Sequence, residues 1–297
     1  GLTAFVVYDL AVGTVNTAPR CFFSKRSGVD LEEAYSWFLW NSGSNVVQAL
    51  DIDGTSNRAL GTDPVSTGVP YINSFVYKGS SPANSQNQVL YKGNAAGCNA
   101  SEASASVPNY SSDLYVGNLK GHTGTGVNVT RFNGRMAEVI MYNTALGSAQ
   151  RLIVNNYLAA KYGLALASGD LYVQDDVANG NYDMDVAGIG QVSPTDRQLD
   201  SRGTGIVEIS GATDLNNDEF LLWGSNGGAL GTFGVGDTPV GVQGRWQRTW
   251  RVNEVKSNGA ACDVGAVDIA FDLSGLGDVT ASDLRLIIDS NNNGSFA

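Results

Sequence analysis

The chain has 297 residues, enough for one large or two medium domains with cores of their own; it is rich in Gly (37), low in charged residues (16%) and carries a net charge of −11. No stretch approaches the ~18 consecutive apolar residues of a membrane span. So acidic a surface also repels nucleic acid and anionic lipid, which excludes both as partners and leaves divalent cations as the natural counter-charge.

The opening "GLTAFVVYDL" lacks the basic region and cleavage site of a signal peptide, so either a targeting segment has been removed or the sequence is a piece of a longer protein. Short apolar runs then recur between Gly, Asn, Ser and Asp clusters: "TAFVVYDL", "RCFFSKR", "YSWFLWN", "NVVQALDI", "YINSFVYKG", "NQVLYKGN", "DLYVGN" and "GRMAEVIMYN". Runs of this length, rich in Val, Ile, Tyr and Phe and bounded by turn formers, predict a β-sandwich or jelly roll rather than βαβ units. Cys21 and Cys98 fall among these runs and Cys262 far beyond them, without metal-ligand spacing. One Cys21–Cys98 bridge and three buried free thiols are equally compatible with that distribution. In Met136–Tyr142 both alternating faces are largely apolar, which predicts a central strand.

A helix follows over about 149–162. Ser148 is placed as N-cap, Ala149, Ile153, Tyr157 and Ala160 share one arc, and Gly163 sits where a left-handed C-cap is wanted. Such a helix lies on a sheet. Beyond it a second series of β-like runs begins: "MDVAGIGQV", "GIVEISG", "EFLLWGSN", "WQRTWRVN", "AVDIAFDLS" and "DLRLIID". Charge changes at the same place. Residues 1–167 hold 11 Lys and Arg against 10 Asp and Glu, whereas 168–297 hold 7 against 19. Two domains are therefore expected, 1–166 and 167–297, joined by a short linker near Leu166–Asp170.

Gly134, Ala137, Glu138, Val139, Tyr142, Asn143 and Leu146, followed by Tyr157, Leu158, Lys161, Tyr162 and Gly163, form a pattern of closing strand, turn and terminal helix. This pattern resembles the laminin-G-like jelly rolls of the concanavalin A-like lectin/glucanase superfamily, and "DLYVGN" and "TAFVVY" fit strands of that fold. The resemblance covers about residues 1–166. It departs in that family members usually begin a strand earlier, so an edge strand is expected to be missing or supplied from elsewhere. Residues 168–297 are similar, through "DVAGIG", "EFLLWGSN", "RTWRV", "FDLS" and "LIID", to the companion β domain that often follows this jelly roll. Together these likenesses imply an all-β, multidomain, extracellular or cell-surface bacterial protein and no particular reaction.

Nucleophilic hydrolysis finds little support. His122, in "GHTGTG", is the single imidazole and reads as a loop residue or a ligand contact, and there is no G-x-S-x-G elbow. A glycosidase of this superfamily needs carboxylates at alternate positions of one strand, and neither Glu138 nor Glu32–Glu33 has such a partner. Metal binding is the strongest positive signal. "DSNNNGSF" places Asp289, Asn291, Asn293 and Ser295 at positions 1, 3, 5 and 7 of a calcium-type loop, with the position-12 carboxylate falling beyond residue 297. Asp214, Asn216 and Asp218 repeat the spacing, and Asp183 and Asp185 alternate. The structural alternative is that these residues end strands in Asx turns. Trp37 and Trp40 fall on opposite faces of "YSWFLW", where either would stack on a sugar or pack in a core. "GRWQRTWRV" suits cross-strand cation–π contacts.

The resulting expectation is a non-catalytic, lectin-like binding or adhesion module that takes a glycan or a surface protein, with Ca²⁺ as the cofactor its loops would hold. The alternative is a structural subunit of an extracellular fibre or large adhesin, completed by neighbouring domains or subunits through strand exchange. A glycosidase ranks third.

Overall fold

The computed structural model describes residues 1–12, 19–26, 33–42, 45–54, 58–79, 87–100, 104–119, 130–231, 233–276, 280–291 and 293–296, the side chains of 98–100 excepted. The chain divides into two compact units, 1–147 with 164–168, and 148–163 with 169–297.

The first unit begins with β1 (Leu2–Leu10), β2 (Arg20–Arg26), β3 (Glu33–Ser42), β4 (Asn45–Ile52) and β5 (Ala59–Leu60). It continues with β6 (Pro70–Tyr77), β7 (Gln88–Lys92), β8 (Ala95–Ala100), β9 (Leu114–Val116) and β10 (Gly134–Tyr142). They form two five-stranded antiparallel sheets ordered β10-β1-β6-β7-β8 and β5-β4-β3-β2-β9. Period-two alternation decides what lies between the sheets. Ala4, Val6, Tyr8 and Leu10 from β1 meet Tyr35, Trp37 and Leu39 from β3 and Leu50 and Ile52 from β4, with Phe22, Phe23 and Phe75 filling the centre. The aromatic rings meet at centroid distances of 4.7 Å for Tyr8–Phe22, 4.8 Å for Phe22–Trp37 and 5.1 Å for Trp37–Phe75. This is a jelly-roll β-sandwich.

Two sequence expectations change here. β10 ends its sheet among the described residues rather than lying at its centre. A register shift between Val7 and Tyr8 moves Met136 onto the core side with Val139 and Met141, which is how a bulge switches faces. And β1, on which the sequence opens, is flanked on both sides, by β10 and β6, so no edge is left open beside it.

The second unit contains α1 (Ser148–Tyr162), β11 (Met184–Ser193), β12 (Asp196–Gln198), β13 (Asp200–Arg202), β14 (Val207–Ser210) and β15 (Glu219–Ser225). After these come β16 (Phe233–Gly234), β17 (Arg245–Trp246), β18 (Trp250–Lys256) and β19 (Asp268–Phe271). In the sheet β12-β11-β15-β18 the middle strands β11 and β15 are covered on both faces. Ala187, Ile189, Leu221 and Trp223 face Val207 and Ile209 of the sheet β13-β14-β19. Val186, Phe220 and Leu222 face Ala149, Ile153 and Ala160 of α1. So the expected amphipathic helix forms and lies on a sheet, and within its own unit that sheet belongs to the acidic half of the sequence. Gly190 is required there, since a Cβ at that position would stand 2.1 Å from Phe220 Cδ1. Gly163 closes α1 in the left-handed conformation, with φ +61°.

Candidate functional site

In the first unit β2 and β9 pair with Lys25 opposite Leu114, so the segment that leads into β9 runs past the end of β2. Lys25, Asn109, Tyr110, Ser111, Ser112 and Asp113 line a cavity of about 420 Å³ there. Tyr110 is anchored by packing partly against the core, and Ser112 N–H donates to the Tyr110 carbonyl at 2.9 Å, which tightens the turn. The Ser112 hydroxyl is shielded from solvent and has no hydrogen-bond partner among the described residues. The residues that line this space carry an ammonium, an amide, a phenol, two hydroxyls and a carboxylate. Such a lining can exchange several hydrogen bonds with a hydroxyl-bearing ligand. The sequence offered little warning of this site, because "NYSSD" reads as an ordinary turn.

A second polar cluster lies on the face of the β3–β4 sheet opposite the core. Arg58 forms a bidentate pair with Asp51, Nε to Oδ1 at 2.7 Å and Nη2 to Oδ2 at 2.8 Å. The Arg58 guanidinium also lies 4.6 Å over the Trp40 ring and 5.1 Å from Phe38. Arg26 and Glu33 form an ion pair at 3.6 Å with side chains 1% and 0% exposed. Burial pushes the carboxyls of Glu33 and Asp51 up, and the neighbouring Ser36 and Arg26, for Glu33, and Arg58, for Asp51, pull them only part of the way back.

Of the residues singled out in the sequence, Trp37 turns into the core, fully buried, with Nε1 donating to Gln48 Oε1 at 3.2 Å. It has no face to offer a ligand. Trp40 takes the other face, and there the Arg58 guanidinium occupies the position over its ring where a sugar would stack. His122 lies outside the described residues. Of the two cysteines in the candidate Cys21–Cys98 pairing, one side chain is described. Cys21 is a free, buried thiol that donates to the Trp37 carbonyl at 3.5 Å, and the Cys98 side chain lies outside the described residues.

The expected metal ligands are engaged in hydrogen bonds of their own or in turns. Asp289 accepts from the backbone N–H of Asn293 and Gly294, Asn291 from that of Asn293, and Asn293 from that of Ser295. Asp214 accepts from the Asn216 amide at 3.1 Å, while Asp218 turns the chain at φ +62°. Asp185 collects Thr204, Ser225 and Arg248 at 2.8, 3.2 and 3.3 Å. Asp183 accepts from Asn181 at 3.3 Å. Burial, with Asp170, Asp176 and Asp183 nearby, pushes the Asp175 carboxyl up to about 6. Among the described residues no three His, Cys, Asp or Glu side chains are grouped as a metal site. In "GRWQRTWRV" the arginines do make cation–π contacts, though not the expected cross-strand ones: Arg251 lies over Tyr182 at 5.2 Å and Arg245 over Phe296 at 5.0 Å, and neither ring belongs to a strand.

A model of a family described as "Domain of unknown function (DUF8202)" matches residues 203–297. No curated protein matches the chain. Among solved structures, the chain is similar to a heptameric SAP-like pentraxin from Limulus polyphemus, at 14% identity and a TM-score of 0.41 over 52% of this chain and 70% of the pentraxin. It is similar to a Bacteroides ovatus protein provisionally described as carbohydrate-binding, at 13% identity and a TM-score of 0.37 over 50% of this chain and 39% of that one. It is also similar to the leech intramolecular trans-sialidase, at 13% identity and a TM-score of 0.36 over 77% of this chain and 32% of the enzyme.

Proposed function

We propose that the chain is a non-catalytic, lectin-like binding module of a secreted or cell-surface protein, with a laminin-G-like first unit that takes a glycan in the cavity formed by Lys25 and Asn109–Asp113. The observation that carries this reading is the cavity itself, about 420 Å³ with a polar, hydroxyl- and amide-bearing lining. Its non-catalytic character rests on the carboxylates. Asp113 is the one carboxylate in the cavity lining, without the second that glycoside hydrolysis needs, and Glu33 and Asp51 are each 1% exposed and held in ion pairs. Calcium dependence belongs to the same proposal: Asp289, Asn291 and Asn293 supply oxygen donors of the kind Ca²⁺ takes, already ordered by backbone N–H groups.

Glycan-array binding of the wild type beside Lys25→Ala and Ser112→Ala tests this. The expected result is binding of a defined glycan set, weakened roughly tenfold or more in each variant and reduced by EDTA. Binding unchanged in both variants would remove the cavity from the reading, and sugar release during incubation would replace the binding module with an enzyme.

A further inference from the structure

The two packed sheets of the second unit are joined along one side and open along the other. β12 runs through Leu199 into β13, so the chain itself crosses from sheet to sheet there. At the opposite edges stand β18 and β19, which meet through the Trp250 and Phe271 rings at 5.7 Å. β18 is covered at one end, where Lys256 N–H donates to the Ala260 carbonyl at 2.7 Å and Val255 bridges Ala261. The outer edge of β19 is bare among the described residues. Asp272 N–H donates to the Ile206 carbonyl at 2.8 Å, so by antiparallel alternation Ala270 and Asp268 also turn their backbone groups to β14. Those of Ile269 and Phe271 then point into the open edge.

Apolar side chains lie exposed at this opening. Ile269 stands opposite Ile209 and Val252 opposite Trp223, and both partners are buried between the sheets. Directly paired residues share a face, so Ile269 and Val252 face the same core. They are nevertheless 42% and 49% exposed. Core-facing groups left in water carry a cost that one more strand would remove.

The chain holds a segment of matching character. Leu284 is extended, with φ −77° and ψ 148°, and Leu284, Leu286 and Ile288 alternate with Arg285, Ile287 and Asp289. Leu286 and Ile288 are 62% and 71% exposed, and residues 284–289 join no ladder. Both ends of the segment are tethered to the open side. Residues 272–283 connect it to Phe271, a link that reaches up to roughly 40 Å when extended. Beyond it, Ser295 Oγ and Phe296 N–H donate to Asp237 Oδ1 at 2.7 and 2.8 Å. Asp237 is in turn paired with Arg245 of β17, just before β18 begins.

We propose that Leu284–Ile288 is a strap that closes this opening by pairing antiparallel with β19, as a fourth strand of the sheet β13-β14-β19. Consecutive segments are the commonest partners in a sheet, and Ile269 and Phe271 offer the strap unused N–H and C=O groups. The faces set the register. Leu284, Leu286 and Ile288 turn inward over Ile269 and Val252, whereas a slip by one residue would send Arg285 and Asp289 into the core. Closed, the strap also removes an edge on which another chain could pair.

Amide hydrogen exchange in the full chain, read residue by residue by NMR, tests this. The Ile269 and Phe271 amides should exchange roughly tenfold or more slowly in the wild type than in the double variant Leu286→Asp, Ile288→Asp, whose strap has a polar inward face. Both substituted residues are exposed in the open form, so the β15 amides should stay protected in the variant and report that the unit is folded. Arg285→Ala, on the outward face, should exchange as the wild type does. Fast exchange at Ile269 and Phe271 in the wild type would overturn the proposal, as would protection that survives the double variant. Protection that grows with protein concentration would overturn it too, because the added strand would then come from a second copy of the chain.

Discussion

Glu33 and Asp51 stand 18 positions apart in sequence and meet because β3 and β4 pair with Ser36 opposite Asp51. A search for carboxylates at alternate positions of one strand cannot find such a pair, since the register of two strands, rather than spacing within one, creates it. Trp40 was visible as an outward aromatic, but its partner Arg58 arrives from beyond the next strand and decides what the ring can stack on. The charge states here have a direction. A carboxyl whose folded pKa lies above its unfolded value contributes stability that is full below the unfolded value and is lost as pH rises through the folded one. Glu33, raised by burial, is such a group. Glu33→Gln should therefore melt higher than wild type at about pH 8, with the gain shrinking as the pH approaches about 4 and the wild-type carboxyl protonates. Thermal unfolding of both proteins across that range checks it, and a difference independent of pH would count against it. Arg58→Ala has the opposite sign. It leaves the Asp51 side chain, 2% exposed, without its bidentate partner, at an expected cost of about 3 kcal/mol by chemical denaturation. An equal loss in Arg58→Lys would identify the two-pronged geometry as the source, because an ammonium keeps the charge and loses the fork.

At the scale of elements, most strands were legible because alternation and turn residues are local signals. "RCFFSKR" is β2 in full, and "EFLLWGSN" contains β15 entire. The run "DLRLIID" was not realised. Residues 284–289 join no ladder, and Leu286 and Ile288 remain 62% and 71% exposed. Alternation shows that a segment can pair, and pairing needs a neighbour that the sequence does not name. The helix was legible at both ends, yet the group that completes its N-terminus was not. Asp196, the first residue of β12, accepts from Ser148 N–H at 2.8 Å and Ala149 N–H at 3.0 Å. A carboxylate here satisfies two of the unpaired donors of the first turn and faces the positive end of the helix dipole. Asp196→Ala is expected to destabilise the second unit by about 1 kcal/mol, and Asp196→Asn by less because the amide oxygen still accepts. Urea unfolding followed at a second-unit tryptophan resonance reads both, and equal stability of all three proteins would show the contact to be idle.

The whole chain carries a charge boundary and a folding boundary at different places. Composition changes near residue 167, after the helix, which suggested the cut between 1–166 and 167–297. The helix nevertheless shares a core with the acidic half. Ala149, Ile153 and Ala160 pack with Val186, Phe220, Leu222 and Val255. Asn156 ties it to the following segment, its Oδ1 accepting from Leu171 N–H at 2.8 Å and Tyr172 N–H at 3.0 Å. Without α1, that face of β11 and β15 would lose its cover. A large apolar side chain left exposed forfeits roughly 1.5–3 kcal/mol, so several together approach the whole stability of a domain, about 5–15 kcal/mol. A fragment of residues 148–297 is therefore expected to unfold cooperatively, whereas 167–297 should bind a hydrophobic dye and lose dispersed tryptophan resonances. If 167–297 instead melts cooperatively at the same temperature as the longer fragment, the helix is dispensable to the acidic unit, and the boundary drawn from composition is the one at which the chain divides.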